Sequence, residues 1–133
     1  MKQIQNYLKK KLLPLSRAVK KFPVSKLIGS SGSFETFAEM SGYRFHNKNM
    51  IRNVNSFKFD LKEFSELYQL ILSSTVADRM KMKGLIRMRI DMIVIASILI
   101  ESVLNEIEIK KMYLSKYALK EGALLDAVSR LAN

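Results

Sequence analysis

A glycine-rich turn joins two apolar segments in the first third of the chain, and few local structures accommodate it. The turn lies in KLIGSSGSFETFAEM, which runs from Lys26 to Met40. Its glycines, Gly29 and Gly32, allow backbone angles that a side chain would forbid. The apolar residues before them are typical of the end of a buried strand, and those after them recur at helical spacing. The sequence therefore predicts a strand, a tight loop and the start of a helix.

Such a junction is suited to binding a phosphate group, because a helix N-terminus presents unpaired N–H groups and the positive end of the helix dipole. The candidate phosphate-binding residues are Gly29, Ser30, Ser31, Gly32 and Ser33. The run lacks the Lys-Ser/Thr ending of a Walker A loop and the spacing of a dinucleotide fingerprint. The residues alone favour a plain turn, in which the Ser33 hydroxyl caps the helix by accepting the N–H of residue 36.

The chain is strongly basic. Its 23 Lys and Arg residues against 12 Asp and Glu residues give a formal net charge of +11, which indicates a polyanionic partner or surface. Nucleic acid, polyphosphate and anionic lipid all meet this description, and charge does not choose between them. The lysines are also dispersed along the chain, so many of them can be ordinary solvated residues.

Length and composition predict a single domain. A chain of 133 residues, 48% of them hydrophobic, is long enough for one packed core. The absence of cysteine excludes a disulfide framework and suits a reducing compartment. The N-terminus makes a poor signal peptide. The apolar run from Met92 to Ile100 is shorter than the roughly 20 residues that span a membrane. We therefore expect a cytoplasmic protein that does not cross a membrane.

Apolar periodicity predicts five or six helices, among them an amphipathic helix over residues 2–21 with a kink or restart at Pro14. Asp60, with Glu63 at the capping-box position, begins another, and Thr75 with Asp78 repeats this pattern for a short helix. The apolar run at 92–100 is predicted to be a central helix buried on all sides. Residues 119–131 are predicted to form a last amphipathic helix.

Only two short strands are predicted, Val24 to Ile28 and Lys111 to Leu114. Gly42 to Lys58 shows no clean period and is interpreted as a long irregular connection, whose aromatic residues pack on the core or contact a ligand. The lone His46 there is interpreted as a surface residue rather than a metal ligand. Two strands leave both sheet edges unpaired, which a homo-oligomer or a domain swap would cover.

Three stretches in this order resemble the exopolyphosphatase and guanosine pentaphosphate phosphohydrolase family. Residues 26–40 are similar to its second glycine-rich loop, Gly-Thr/Ser-Ser-Gly-Thr followed by a Glu-Thr helix. Residues 84–104, GLIRMRIDMIVIASILIESVL, are similar to its Gly-Leu, Arg-x-Asp and long apolar helix. Residues 113–128, YLSKYALKEGALLDAV, are similar to its Ser-x-Tyr-Ala-Leu-Arg-Glu-Gly segment.

The resemblance implies an α/β, mostly helical fold, a partial actin-like or ribonuclease-H-like domain. Residues 1–133 would be a single partial domain, the C-terminal segment of a phosphatase module whose upstream domain is missing. The intact protein would remove terminal phosphate from polyphosphate or guanosine pentaphosphate with Mg²⁺. This chain would supply the second phosphate-binding loop, but no catalytic residue and no metal ligand, and would be inactive alone.

Three further residues match the family pattern in supporting roles. Arg89 and Asp91 form its Arg-x-Asp but lie two positions apart, so they do not pair on a helix, and a structural role is favoured for both. Glu121 begins the last helix, where its charge favours the helix dipole. Lys120 stands where the family has arginine, and Ser33 where it often has threonine.

The alternative function is a basic helical module that binds nucleic acid or a protein partner without catalysis. The net charge supports it, whereas the dispersion of the lysines and the lack of an aromatic-basic recognition motif oppose it. An inert structural remnant is a third hypothesis, and it predicts no saturable phosphate site.

Overall fold

The computed structural model describes residues 2–131, which form six α-helices and a small three-stranded sheet. A single turn of 3-10 helix, Arg87–Arg89, precedes the fifth α-helix. In chain order the elements are α1 Lys2–Lys21, β1 Lys26–Ser30, α2 Gly32–Phe45, β2 Ser56–Phe59, α3 Leu61–Ser73, α4 Val76–Arg79, α5 Met92–Glu106, β3 Lys111–Ser115 and α6 Leu119–Leu131. The mostly helical α/β fold that the sequence predicted is confirmed.

The sheet has the order β1-β3-β2, with the last strand of the chain at its centre. β1 runs parallel to β3, and β2 runs antiparallel to it. The prediction of two strands was wrong by one, because β2 lies inside the segment interpreted as an irregular connection. Only Phe59 of its four residues is buried, so β2 carries almost no hydrophobic signal of its own.

The hydrophobic core lies between the sheet and the helices α2, α3 and α5. The central strand contributes two fully buried side chains, Met112 and Leu114. The helices contribute apolar residues at helical spacing, which are Phe37, Ala38, Met40, Phe64, Leu67, Ile71, Ile93, Ile100 and Leu104. The rings of Phe37 and Phe64 meet edge to face at a centroid distance of 5.3 Å, an arrangement that aromatic quadrupoles favour. This core fixes α2 and therefore the loop that precedes it.

The first helix continues through Pro14 without a break, so the predicted restart did not occur. Asp60 caps α3 as predicted, accepting the N–H groups of Lys62 at 2.7 Å and Glu63 at 3.3 Å. The Glu63 carboxylate does not complete the predicted capping box. It accepts a hydrogen bond from the Ser41 hydroxyl at 3.0 Å and pairs with His46 Nε2 at 3.1 Å, tying the end of α2 to the start of α3.

The capping box predicted for α4 is confirmed in both directions. The Asp78 N–H donates to the Thr75 hydroxyl at 3.2 Å, and the Asp78 carboxylate accepts the Thr75 N–H at 2.9 Å. The Thr75 hydroxyl also donates to that carboxylate at 2.7 Å. This hydroxyl bond, together with the backbone bond, lowers the pKa of Asp78 below its usual 3.8.

The predicted burial of the apolar run on all sides was wrong. α1 and α3 cover two sides of α5, but a third side is open to solvent at Met92, Ile95 and Leu99, which are 65%, 46% and 41% exposed. α6 has no buried residue at all. No helix within residues 2–131 is both long enough and apolar enough to cross a membrane.

Candidate functional site

The glycine-rich loop lies where the two parallel strands of the sheet end. Ser30, the last residue of β1, pairs in register with Ser115, the last residue of β3. α2 begins at Gly32 immediately after β1, and α6 begins shortly after β3. Ligands of α/β proteins commonly bind beyond the carboxyl ends of parallel strands. The loop therefore occupies the position in this fold that is best placed to receive a ligand.

Gly29 is required for space rather than for its backbone angles. It lies in β1 and is buried, and a Cβ built on it would overlap the ring of Phe34. That ring, on the first turn of α2, folds back over the strand and meets Phe59 edge to face with a centroid distance of 6.1 Å. The contact fixes how sharply the chain turns from strand to helix.

The turn itself is made by Ser31 and Gly32, which both have positive φ. Ser31 has φ 58° and ψ −177°, a combination found almost only in glycine and costing on the order of 1–3 kcal/mol. Gly32 has φ 37°. The predicted capping by Ser33 was wrong. Ser31 is the N-cap residue, and its carbonyl oxygen accepts the N–H groups of residues 34 and 35 at 3.1 and 3.4 Å.

Three consecutive N–H groups at this turn, those of Ser31, Gly32 and Ser33, have no hydrogen-bond partner within residues 2–131. They belong to the N-terminus of α2, where the helix dipole adds partial positive charge. Successive N–H groups in such a conformation form a concave site for an anion. Ser30 and Ser31 are exposed, so an anion can reach them.

The Arg89 side chain reaches the same turn from the 3-10 helix. Its Nη1 would lie 2.7 Å from a Cβ built on Gly32, so the guanidinium rests directly against the glycine. The Arg89 side chain is half-buried and has no hydrogen-bond or ion-pair partner in the part of the chain that the structure describes, whereas the backbone N–H of Arg89 donates to the Ile86 carbonyl at 2.9 Å. A fixed positive charge with free donors thus stands beside the unpaired N–H groups, and together they suit an oxyanion.

Asp91 and Glu121 do not hydrogen-bond to the loop. Asp91 is exposed, precedes α5 and caps none of its N–H groups. The Glu121 carboxylate accepts the N–H of Ala118 at 2.8 Å and pairs with Lys120 at 3.4 Å. The Ala118 hydrogen bond is the main cause that lowers the pKa of Glu121. Glu121 therefore caps its own helix.

Arg79 is a supporting residue that the sequence did not reveal. It is 8% exposed, and its guanidinium donates to the Ile90 carbonyl at 2.9 Å and to the carbonyl and hydroxyl oxygens of Ser74 at 2.8 and 3.2 Å. Ile90 directly follows Arg89, so Arg79 holds the backbone that carries the arginine of the loop. The capping box at the start of α4 predicts that Arg79 lies in a helix. Its contact with Ile90 has no signal in the sequence.

A second basic feature, the lysine groove, lies at the opposite end of the sheet. It is a cavity of about 310 Å³ lined by Lys58, Lys62, Lys110 and Lys111 together with Phe59, Asp60 and Leu61. Asp60 is its acidic residue, and that carboxylate is engaged in capping α3. None of the four lysines forms an ion pair within residues 2–131.

The sequence model of the Ppx/GppA phosphatase family matches residues 1–131. The chain belongs to this family. Among solved structures, an exopolyphosphatase from Cytophaga hutchinsonii is similar to this Ppx/GppA chain at 34% sequence identity and a TM-score of 0.86. A Ppx/GppA family member from Aquifex aeolicus, at 18% identity and a TM-score of 0.78, shares the fold. The comparison with curated proteins gave no significant match.

The alignments cover nearly all of this Ppx/GppA chain but less than half of each relative. The shared region comprises 96% of this chain and 41% of the Cytophaga protein, and 99% and 41% for the Aquifex protein. The predicted resemblance to a part of the Ppx/GppA module is thereby confirmed. The roles of Gly29–Ser33, Arg89, Asp91 and Glu121 stay predictions.

Proposed function

We propose that this chain is the phosphate-binding part of a phosphohydrolase that removes a terminal phosphate from polyphosphate or guanosine pentaphosphate. The observation that carries the proposal is the cluster of unpaired N–H groups at Ser31, Gly32 and Ser33 with the Arg89 guanidinium beside it. Membership of the Ppx/GppA phosphatase family supports the hydrolase class. The longer protein would act in the cytoplasm, which the lack of cysteine suits.

The residues of this loop would hold and neutralise a phosphoryl group rather than attack it. Backbone N–H groups at a helix N-terminus are fixed donors, so they cost no reorganisation as negative charge develops on the phosphoryl oxygens. The planar guanidinium of Arg89 can donate two parallel hydrogen bonds to one phosphate. Phosphoryl transfer depends mainly on such positioning and charge stabilisation. The remaining catalytic groups would come from the rest of the longer protein.

Mg²⁺ is implied by the family resemblance and would neutralise phosphate charge in the intact enzyme. Within the described residues, no three His, Asp or Glu side chains converge to hold a metal ion. Beside the loop, the first turn of α2 carries one acidic residue, Glu35. A single carboxylate provides too few protein ligands to define a Mg²⁺ site. We therefore assign no Mg²⁺ ligand to this chain and derive no step through the metal.

Two observations bear on the substrate. The Cytophaga relative is described as an exopolyphosphatase, and a net charge of +11 favours a long polyanion. Guanosine pentaphosphate shares the terminal phosphoanhydride that the loop would bind. Competition between tripolyphosphate and guanosine pentaphosphate for the loop, read from amide shifts, would rank the two substrate classes.

The test is an amide NMR titration with tripolyphosphate, repeated with single-stranded DNA of equal charge at the same salt concentration. We expect saturable shifts concentrated at residues 29–34, and tripolyphosphate should compete better than DNA. Shifts that spread over lysine-bearing segments and leave the loop unchanged would contradict the proposal.

Two pairs of variants sharpen this test. Arg89→Gln should weaken tripolyphosphate binding about tenfold or more, as expected for a charge-assisted hydrogen bond, whereas the exposed Arg87→Gln should not. Gly32→Ala should displace the Arg89 guanidinium and weaken binding. Its matched control is Gly122→Ala, because a Cβ at Gly122 would have no neighbour within 4 Å. If the two variants of either pair change the affinity for tripolyphosphate equally, the loop is not the binding site.

The lysine groove favours the alternative function, a basic module that binds nucleic acid or another polyanion. Four unpaired ammonium groups around one cavity attract phosphates without selecting among them. This function predicts steep salt dependence and no preference between polyphosphate and DNA. Lys58→Gln with Lys110→Gln should then lower affinity for both, while Arg89→Gln leaves affinity unchanged.

A further inference from the structure

A cavity between α2, α3 and the turn before Leu85 is separate from the glycine-rich loop. Its volume is about 240 Å³. The lining residues are Met40, Tyr43, Arg44, Leu67, Leu70, Met82 and Lys83. Met40 lies two turns along α2 from Gly32, about 12 Å at the rise of a regular helix. None of the lining residues belongs to the proposed phosphate site, so the cavity is a separate feature.

The floor of this cavity is apolar and firmly placed. Met40 and Leu67 are almost completely buried, and Leu70 and Met82 are half-buried. Gly84, with φ 85°, brings the following turn so close that a Cβ there would lie 2.7 Å from the Met40 backbone nitrogen. An apolar floor with a few polar groups at the rim is typical of sites for small molecules.

The rim carries positive charge without an acidic partner. Arg44 and Lys83 are exposed, and neither forms an ion pair with any described residue. No Asp or Glu lines the cavity among residues 2–131. The guanidinium of Arg44 lies over the ring of Phe45, 5.6 Å from its centroid, which restrains the side chain. An apolar floor below two cations fits a ligand with an apolar body and one anionic group.

Size and lining indicate an aromatic body. A cavity of roughly 150 Å³ is sufficient to bind benzene, so about 240 Å³ has room for one ring and a short side arm. Methionine sulfur makes favourable contacts with aromatic ring edges, and both Met40 and Met82 line the space. Tyr43 offers a further ring contact.

We propose that this cavity binds a small aromatic carboxylate, with the ring against Met40 and Met82 and the carboxylate at Arg44 and Lys83. Arginine suits a carboxylate because its planar fork matches the two oxygens. This inference is independent of the proposed phosphohydrolase function, because none of the residues that carry it belongs to the glycine-rich loop.

The experiment uses the chain labelled with ¹³C in its methionine methyl groups and titrated with 3-phenylpropionate. We expect saturable shifts of the Met40 and Met82 methyl signals and none at Met88, which is 85% exposed. The uncharged 3-phenylpropanol should bind about tenfold more weakly, because it lacks the charge-assisted contact. Tripolyphosphate should leave these methyl signals unchanged, which separates this test from that of the loop.

Charge variants at the rim complete the test. Arg44→Gln with Lys83→Gln should lower the affinity for 3-phenylpropionate about tenfold, whereas Arg52→Gln with Lys81→Gln should leave the affinity unchanged. All four residues are exposed, so the variants are expected to fold, and thermal unfolding will verify this. Equal binding of the alcohol, equal effects of the two double variants, or no saturable shift at Met40 and Met82 would overturn the proposal.

Discussion

Ser31 concentrates the backbone strain of the glycine-rich loop in one residue. Its neighbours on both sides are held in place, because the Phe34 ring packs against Gly29 and the Arg89 guanidinium lies against Gly32. Strained residues of this kind cluster at ligand sites, where the surrounding structure determines their conformation. At this turn the N–H groups of Ser31, Gly32 and Ser33 have no hydrogen-bond partner among residues 2–131. At the residue scale, packing contacts of the neighbouring residues thus hold the loop in its conformation.

Gly29→Ala should lower the free energy of unfolding by about 1–3 kcal/mol, the usual effect of overpacking. The added methyl group would overlap the Phe34 ring. In a Phe34→Ala background the same substitution should have little effect, because the ring is gone. Urea unfolding of the two single variants and the double variant measures this coupling. An equal effect in both backgrounds would show that Phe34 is not the cause.

Arg79→Met should lower the free energy of unfolding by about 2–3 kcal/mol, since it leaves acceptors of a charged group without their donor. Those acceptors are the carbonyl oxygens of Ile90 and Ser74. The exposed Arg87→Met is the matched control and should change stability by no more than about 0.5 kcal/mol. Chemical unfolding of both variants measures the difference, and similar values would argue against the anchoring role of Arg79.

At the scale of elements, α4 depends on its capping box, and this dependence has a pH signature. Hydrogen bonds from Thr75 hold the pKa of Asp78 below its usual 3.8 in the folded state. A lowered folded pKa means that the carboxylate stabilises the fold above pH 3.8 and that this contribution is lost as pH falls through the folded value. The stability difference between the wild type and Asp78→Asn should therefore shrink in acid.

The control for this titration is Thr75→Val, which removes the hydroxyl donor. The pKa of Asp78, followed by carboxyl NMR, should rise towards its usual value in that variant. If the pKa stays where it is in the wild type, the hydroxyl is not the dominant cause of the shift.

α6 presents an apolar stripe to solvent instead of to the core. Leu124, Leu125 and Val128 are all exposed, so replacing each of them by Gln should change stability by no more than about 0.5 kcal/mol. Leu104→Ala, in the buried part of α5, should cost about 2–5 kcal/mol by comparison. Urea unfolding distinguishes the two cases. If an α6 variant loses as much unfolding free energy as Leu104→Ala does, the helix is covered in solution.

The elements differ in how far the sequence could predict them. The caps at Asp60 and Thr75 were predicted because their partners lie within three residues along the chain. β2 was missed because it is a short edge strand with one buried residue. The open side of α5 could not be foreseen, because an apolar run without periodicity does not show which side lacks a neighbour. Likewise, the contact between Arg89 and Gly32 joins residues far apart in the sequence.

At the scale of the whole molecule, the glycine-rich loop and the lysine groove place positive charge at both ends of one sheet. The chain corresponds to about two-fifths of the length of its relatives, 41% of the Cytophaga protein. The formal net charge of +11 is that of these 133 residues. The family, the mostly helical fold and the partial coverage were all predicted from three ordered sequence matches. The arrangement of the charge around the sheet depends on strand order, which no local pattern encodes.

The chain alone should bind phosphate without hydrolysing it. By our proposal the loop supplies donors for a phosphoryl group, and the family resemblance implies that the catalytic acidic residue lies outside this chain. Incubation with polyphosphate and Mg²⁺ should therefore release no phosphate above the level of a Gly32→Ala control. Release that depends on Mg²⁺ and disappears in that control would show that the chain is catalytically complete.

The strand order also sets the time at which the sheet can form on the ribosome. β1 and β2 make no ladder with each other, and both pair with β3. Lys26 has no strand partner until Lys111 has been synthesised, so both outer strands stay unpaired until β3 emerges. Such non-local pairing slows folding and leaves strand edges exposed to other chains meanwhile. A chaperone that shields β1 during synthesis should therefore raise the yield of folded protein.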